Sequence, residues 1–120
     1  ALEIPLPASD ILPAFSRFDS FEYQVCFDLG NASAMGLEPE GQILELAARI
    51  GHVHVKDRTA GGQNVLLGDG LVDFSGCFRA LRRIGYAGPL VLETAYFTNP
   101  RAEALRNLEF VNKALMAVTS

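Results

Sequence analysis

The chain is 120 residues long, 49% hydrophobic and 20% charged, with a net charge of −4 at pH 7. That balance is expected of a single folded domain spanning 1–120, and the negative sign, with no basic run interleaved with aromatics, argues against a nucleic-acid partner held by counterion release. No apolar run approaches the ~20 residues a spanning helix needs, and ALEIPLP lacks the charged start and apolar centre of a signal peptide, so a cytoplasmic protein with no membrane partner is expected.

In chain order, residues 2–6 form a short apolar run broken by Glu3 and closed by proline. Residues 23–28 (YQVCFD), 51–55 (GHVHV) and 89–94 (PLVLET) are three more, and all four read as strands. Helical spacing is weak at 11–18 and clearer at Ile43, Leu46, Ala47 and Ile50, at Phe74, Cys77, Phe78, Leu81 and Ile84, and at Leu105, Leu108, Val111 and Leu115. Asp73 can cap the third helix, Gly85 can end it, and Asn99 before Pro100 is a good start for the fourth. Cys26 and Cys77 lie far apart in apolar patterns without metal-type spacing, and read as reduced packing residues.

Strict alternation of strand and helix with mostly apolar strands predicts an α/β fold with a parallel sheet under helices. A doubly wound sheet should show a glycine-rich turn after its first strand, and residues 3–7 show none. A (β/α)8 TIM barrel should instead carry reactive residues at the carboxyl ends of several strands, and these four strands do.

Side chains alternate along a strand, so Tyr23, Val25 and Phe27 share one face while Gln24, Cys26 and Asp28 share the other. The same register points Val53, Val55, Leu90 and Leu92 outward, and His52, His54, Val91 and Glu93 inward. The two histidines then lie roughly 7 Å apart along their strand. Each strand thus offers one ionisable residue, Glu3, Asp28, His54 and Glu93. Three carboxylates buried together without counter-charge cost several kcal/mol each. Only Lys56 and Arg58 supply cations on that edge, so a divalent metal ion is the economical partner. Oxygen-rich ligation with one imidazole suits Mn²⁺ or Mg²⁺, with Co²⁺ or Zn²⁺ as alternatives. Taken singly, each of these residues is better read as a loop-starter, a helix cap or a satisfied core imidazole. Four of them in one inward register reverse that preference.

CFDLGNASAMG, HVHVKDR, NVLLGDGLVDF and GYAGPLVLET together resemble the carboxyl-terminal half of the xylose-isomerase-like (β/α)8 barrels, the sugar phosphate isomerases and epimerases. Within that family the chain is most similar to the L-ribulose-5-phosphate 3-epimerases and hexulose-6-phosphate isomerases. The resemblance implies four βα units, the fifth to eighth strands of a barrel, with metal ligands at Glu3, Asp28, His54 and Glu93. It leaves His52 as a deeper structural imidazole. It also implies a substrate that is a sugar or sugar phosphate, an enediolate formed by removing a proton next to a ketose carbonyl, and Glu3 and Glu93 as the catalytic base and acid on opposite faces. Asn31 is a substrate contact by the same resemblance, or else shapes its loop. Lys56, inward like His54, is a second substrate contact, or else a strand-end cation neutralising Asp57. Arg58 and the Gly68-Asp69-Gly70 turn lie in a loop where such barrels hold phosphate, although two glycines also make an ordinary tight turn.

A complete barrel needs at least ~200 residues, so strands one to four are expected to be missing here, and a start at Ala1 rather than Met fits a fragment. Exposed edge strands predict a homo-oligomer or completion by the remainder of the same barrel. Two functions follow: a metal-dependent sugar (phosphate) epimerase or isomerase, or a catalytically silent metal-binding half barrel. An endonuclease with a multi-zinc site would need more than two histidines.

Overall fold

The computed structural model describes residues 1–17 and 23–119. Four parallel strands form one sheet: β1 (Leu2–Glu3), β2 (Val25–Asp28), β3 (Ile50–Val55) and β6 (Leu90–Leu92). Its order is β1-β2-β3-β6, and the only other described sheet is an antiparallel pair of β4 (Asp57–Arg58) and β5 (Asn64–Val65) inserted after β3. Helices α1 (Ala8–Phe15), α2 (Leu29–Ala34), α3 (Pro39–Leu46), α4 (Phe74–Arg83) and α5 (Pro100–Thr119) complete the fold. Spatial order following chain order among parallel strands is the arrangement of a barrel wall. Within this sheet β1 and β6 each pair on one side only.

The outward register holds within the strands, with Leu90 and Leu92 half-buried, whereas Tyr23, expected on the same face, lies before β2 and is 46% exposed. Val25, Phe27, Val53 and Val55 are buried with Ile11, Phe15, Ile43, Leu46, Phe74, Phe78, Leu81 and Val111 in one core between sheet and helices. Burying a side chain of this kind stabilises the fold by roughly 1.5–3 kcal/mol, so this layer holds the helices to the wall. Both cysteines are free and buried, as packing residues should be.

Several boundaries differ from the sequence expectation. β1 stops at Glu3 because Leu6 N–H turns back to the Ile4 carbonyl (2.9 Å) and neither Pro5 nor Pro7 has a donor for a ladder. The first helix starts at Ala8, three residues before Ile11, where Ala8 N–H donates to Gln42 Oε1 (2.7 Å); its expected end at Phe18 lies outside the described residues. Ile50 is a strand residue rather than the last apolar position of α3. The helix ends because Ala47 takes φ 46° and a 3-10 turn over Ala47–Arg49 redirects the chain into β3. The caps match expectation: Asp73 accepts from Gly76 N–H (3.1 Å), Gly85 follows α4 at φ 74°, and Asn99 accepts from Ala102 N–H (3.1 Å).

Candidate active site

The carboxyl ends of the four parallel strands bring Glu3, Asp28, His54 and Glu93 together. Each offers one ligand atom, and these atoms all lie within 4.8 Å of one another. Register explains it. Asp28 and His54 are direct cross-strand partners, and Glu93, one residue past β6, donates its N–H to the Val55 carbonyl (3.1 Å) so that the ladder continues to it.

His54 Nδ1 is the centre of this group. It stands 3.0 Å from Glu93 Oε2 and 3.6 Å from both Glu3 Oε2 and Asp28 Oδ2. None of these approaches is a hydrogen bond: Nδ1 of His54 and Oδ2 of Asp28 are both buried without a hydrogen-bond partner. A buried nitrogen and a buried carboxylate oxygen 3.6 Å apart, neither with a hydrogen bond, are costly unless a cation receives their lone pairs. The donor set therefore fits a divalent metal ion. Lys56 supplies the local positive charge, its Nζ 3.1 Å from Glu93 Oε2 and 3.4 Å from Asp28 Oδ2. Three ionised carboxylates against one ammonium leave two negative charges, the complement of a divalent cation.

The protonation preferences follow from the same contacts. Burial pushes the Asp28 carboxyl above its ordinary value, against the Asn31 N–H and the Lys56 ammonium that favour its charged form. Burial would raise Glu93 as well, but Lys56 outweighs it and holds that carboxyl below the usual range. Burial would lower Lys56, and Glu93 with Asp28 reverses the direction and raises it.

Asp28 has a divided role. Its Oδ1 accepts from Asn31 N–H (2.8 Å) and caps α2, the short helix in DLGNASA that helical spacing did not reveal, while Oδ2 faces the other ligands. Gly30 lets α2 lie this close: a Cβ there would stand 2.8 Å from Lys56 Cγ and 3.0 Å from its carbonyl carbon.

Asn31 and Arg58 reach the ligand set through each other. Asn31 Nδ2 donates to Glu3 Oε1 (2.9 Å), and Asn31 Oδ1 accepts from Arg58 Nη1 (3.0 Å). Arg58 is anchored in turn by Nε and Nη2 on the Gly62 carbonyl (3.1 and 2.7 Å).

The residue that sequence reasoning undervalued is Asp57. It is 1% exposed and does not pair with Lys56; its carboxylate accepts from the N–H groups of Arg58, Gly68, Gly70 and Val72 (3.0, 2.9, 2.9 and 3.1 Å). Its signal was available: an Asp continuing the outward, apolar register of Val53 and Val55 must find donors, and a glycine-rich turn 11 to 13 residues on can bring unhindered N–H groups. The Gly68-Asp69-Gly70 turn is consequently no open phosphate cradle. Two of its N–H groups already donate to Asp57, and Asp69 pairs with Arg106 (3.0 Å). Leu67 N–H donates to the buried Asn107 of α5 (3.1 Å), which ties the same loop to the last helix.

A four-strand parallel wall with an acidic, histidine-centred cluster at its carboxyl edge defines a class, and comparison with known proteins agrees. The chain belongs to the xylose isomerase-like TIM barrel family, whose model matches residues 8–114. It is 43% identical over 101 residues to the L-ribulose-5-phosphate 3-epimerase UlaE of Salmonella paratyphi C (strain RKS4594), over 79% of this chain and 34% of that protein. The same protein of Salmonella choleraesuis (strain SC-B67) gives the same figures. The chain thus spans about a third of the length of the curated relatives it matches. Among solved structures, an L-ribulose 3-epimerase superposes with a TM-score of 0.81 at 22% identity, covering 94% of this chain and 43% of that one. A xylose isomerase domain protein from Planctomyces limnophilus gives 0.80 at 22% identity, over 96% and 45%. These two likenesses establish the fold: four βα units of a TIM barrel. No described helix is long and apolar enough to cross a membrane.

Proposed function

We propose that the chain carries the metal-binding, proton-transferring half of a sugar or sugar-phosphate epimerase or isomerase acting next to a ketose carbonyl. The observation behind this reading is the convergence of four ligand atoms within 4.8 Å around two buried atoms, His54 Nδ1 and Asp28 Oδ2, that lack hydrogen-bond partners. Glu3, Asp28, His54 and Glu93 would hold the ion, Mn²⁺ or Mg²⁺ by their oxygen-rich chemistry, with Co²⁺ or Zn²⁺ as alternatives. Once bound, such an ion supplies Lewis acidity that lowers the energy of an enediolate.

The remaining work belongs to side chains. Glu3 and Glu93 come from the two outer strands of the sheet, β1 and β6, so they flank whatever lies over β2 and β3. One carboxylate takes the carbon-bound proton and the other returns a proton to the opposite face, which inverts the carbon. Lys56 keeps Glu93 ionised and in place, and Asn31, itself held by Arg58, positions Glu3 while presenting polar groups to sugar hydroxyls or a phosphate. L-Ribulose 5-phosphate, the substrate named for the 43%-identical relatives, is the first compound to test.

The test is deuterium exchange from solvent into the sugar, followed by NMR, with these four βα units in a complete barrel. Glu93→Gln should slow exchange by ~10² to 10⁴. Exchange at the unmodified rate would remove Glu93 from the chemistry. Manganese titration of the same variant separates loss of proton transfer from loss of the ion.

A second reading, a half barrel that binds metal without turnover, draws on the one-sided pairing of β1 and β6 and on the 38% exposure of inward Val91. Under either reading the open edges call for a second copy of the chain or the complementary barrel half. Manganese binding without any solvent exchange in the 120-residue chain, and exchange only after the complementary half is added, would favour the completed barrel over a silent module.

A further inference from the structure

One pleat nearer the amino ends of the strands, the same inward face carries a second set of donors. Cys26 and His52 are direct cross-strand partners on β2 and β3, as Asp28 and His54 are one pleat above. Ligand atoms of Cys26, His52 and His54 all lie within 4.8 Å of one another, and the two imidazole rings meet edge to face with centroids 5.2 Å apart. The interior therefore holds two tiers of different chemistry that meet at His54. The upper tier has three carboxylates and one imidazole, whereas the lower has one sulfur and two imidazoles.

We propose that Cys26, His52 and His54 form a distinct site for a soft divalent cation, Zn²⁺ or Cd²⁺, and that its occupation competes with the carboxylate tier for His54. Ligand softness carries the argument: thiolate and imidazole select zinc and its heavier congener, while carboxylates select manganese and magnesium. Spacing along the chain conceals this set because Cys26 and His52 come together only through parallel pairing. Both imidazoles are half-buried and Cys26 is buried. Binding breaks the Cys26 S–H bond, forms a sulfur–metal bond and releases one proton to solvent. Cys77, the other thiol, is buried in the outer core on α4 and belongs to no described donor cluster.

Competition for His54 rests on the reading of the carboxylate tier as a metal site; the soft site itself does not. The test is cadmium titration of the reduced 120-residue chain, followed by the ultraviolet thiolate-to-cadmium charge-transfer band. One cadmium per chain should produce the band, Cys26→Ser should abolish it and Cys77→Ser should leave it intact. His52→Gln, which keeps the thiol, should weaken cadmium at least about tenfold. Absence of the band in the unmodified chain, its survival in Cys26→Ser, or its loss in Cys77→Ser would overturn the site. So would unaltered cadmium affinity in a folded His52→Gln. Prior loading with cadmium should suppress manganese binding, and independent binding of the two would overturn the competition. A chain that binds cadmium but never manganese would sink the carboxylate tier while leaving the soft site standing.

Discussion

Asn31 Nδ2 holds Glu3 Oε1 at 2.9 Å across 28 residues of chain, which makes the amide, and not the strand alone, the support of the first carboxylate. Support is needed, since β1 is two residues long and both are exposed. Outer partners of metal ligands are typically worth 10–100-fold in affinity. Asn31→Ala should therefore weaken manganese binding at least about tenfold by calorimetry. Arg58→Ala should weaken it less, because the Asn31–Glu3 bond survives. Equal affinity in Asn31→Ala and the parent would show that Glu3 is positioned by its backbone.

Manganese should stabilise the fold measurably. An ion bound only by the native state adds about 2.7 kcal/mol at one hundred times its Kd. The thermal midpoint should rise with manganese, return to its starting value on chelation, and stay unmoved in His54→Ala. A midpoint in His54→Ala that climbs as in the parent would dissociate the stabilisation from this site.

Asp57, buried and sharing its carboxylate among four N–H groups, should be costly to alter. Replacement by Asn removes the charge that four N–H groups share and turns an amide donor toward some of them. A loss of about 3 kcal/mol is expected, read from denaturant unfolding. A change below about 0.5 kcal/mol, the range of ordinary surface substitutions, would mean that the loop holds itself.

Acid should loosen the segment before α5. Glu103 accepts from the N–H groups of Phe97 and Thr98 (2.9 and 3.0 Å), and these bonds hold its carboxyl below the ordinary value of 4.5. A depressed folded value means that the stabilisation is complete above 4.5 and is lost as pH falls through the folded value. Glu103→Gln should flatten that part of the acid limb of the thermal midpoint. Parallel acid limbs in the variant and the parent would remove Glu103 as a contributor.

Legibility in the sequence tracked the range of the interaction. The period-two register of YQVCFD, GHVHV and PLVLET is dictated by single strands, so the sheet, most of the outward core and three inward ionisable residues, Asp28, His54 and Glu93, were readable, while Glu3 showed only as the charge that breaks the first apolar run. Ile50 was misplaced because an apolar residue at helical spacing looks the same whether a helix continues or a positive-φ residue such as Ala47 has already ended it. Helix α2 was hidden by its small residues, LGNASA, which carry no apolar stripe. The β4–β5 pair is two residues a side, too short for any period to show. Lys56 and Arg58 were legible as cations of the right edge, but their partners, Glu93 and Asn31, lie 37 and 27 residues away, and only the folded chain supplies that geometry.

The divided carboxylate of Asp28 has a consequence for anyone reading variation at this position. One oxygen begins a helix and the other looks into the barrel, so most replacements disable architecture and chemistry together, and their failure says nothing about which was essential. Asn is the exception. It is as good an N-cap as Asp, so it preserves the Asn31 contact while replacing the inward oxygen with an amide nitrogen that has no lone pair to give. A natural chain with Asn at position 28 would be a folded molecule that had given up this candidate ligand, and the fold by itself would not betray the change.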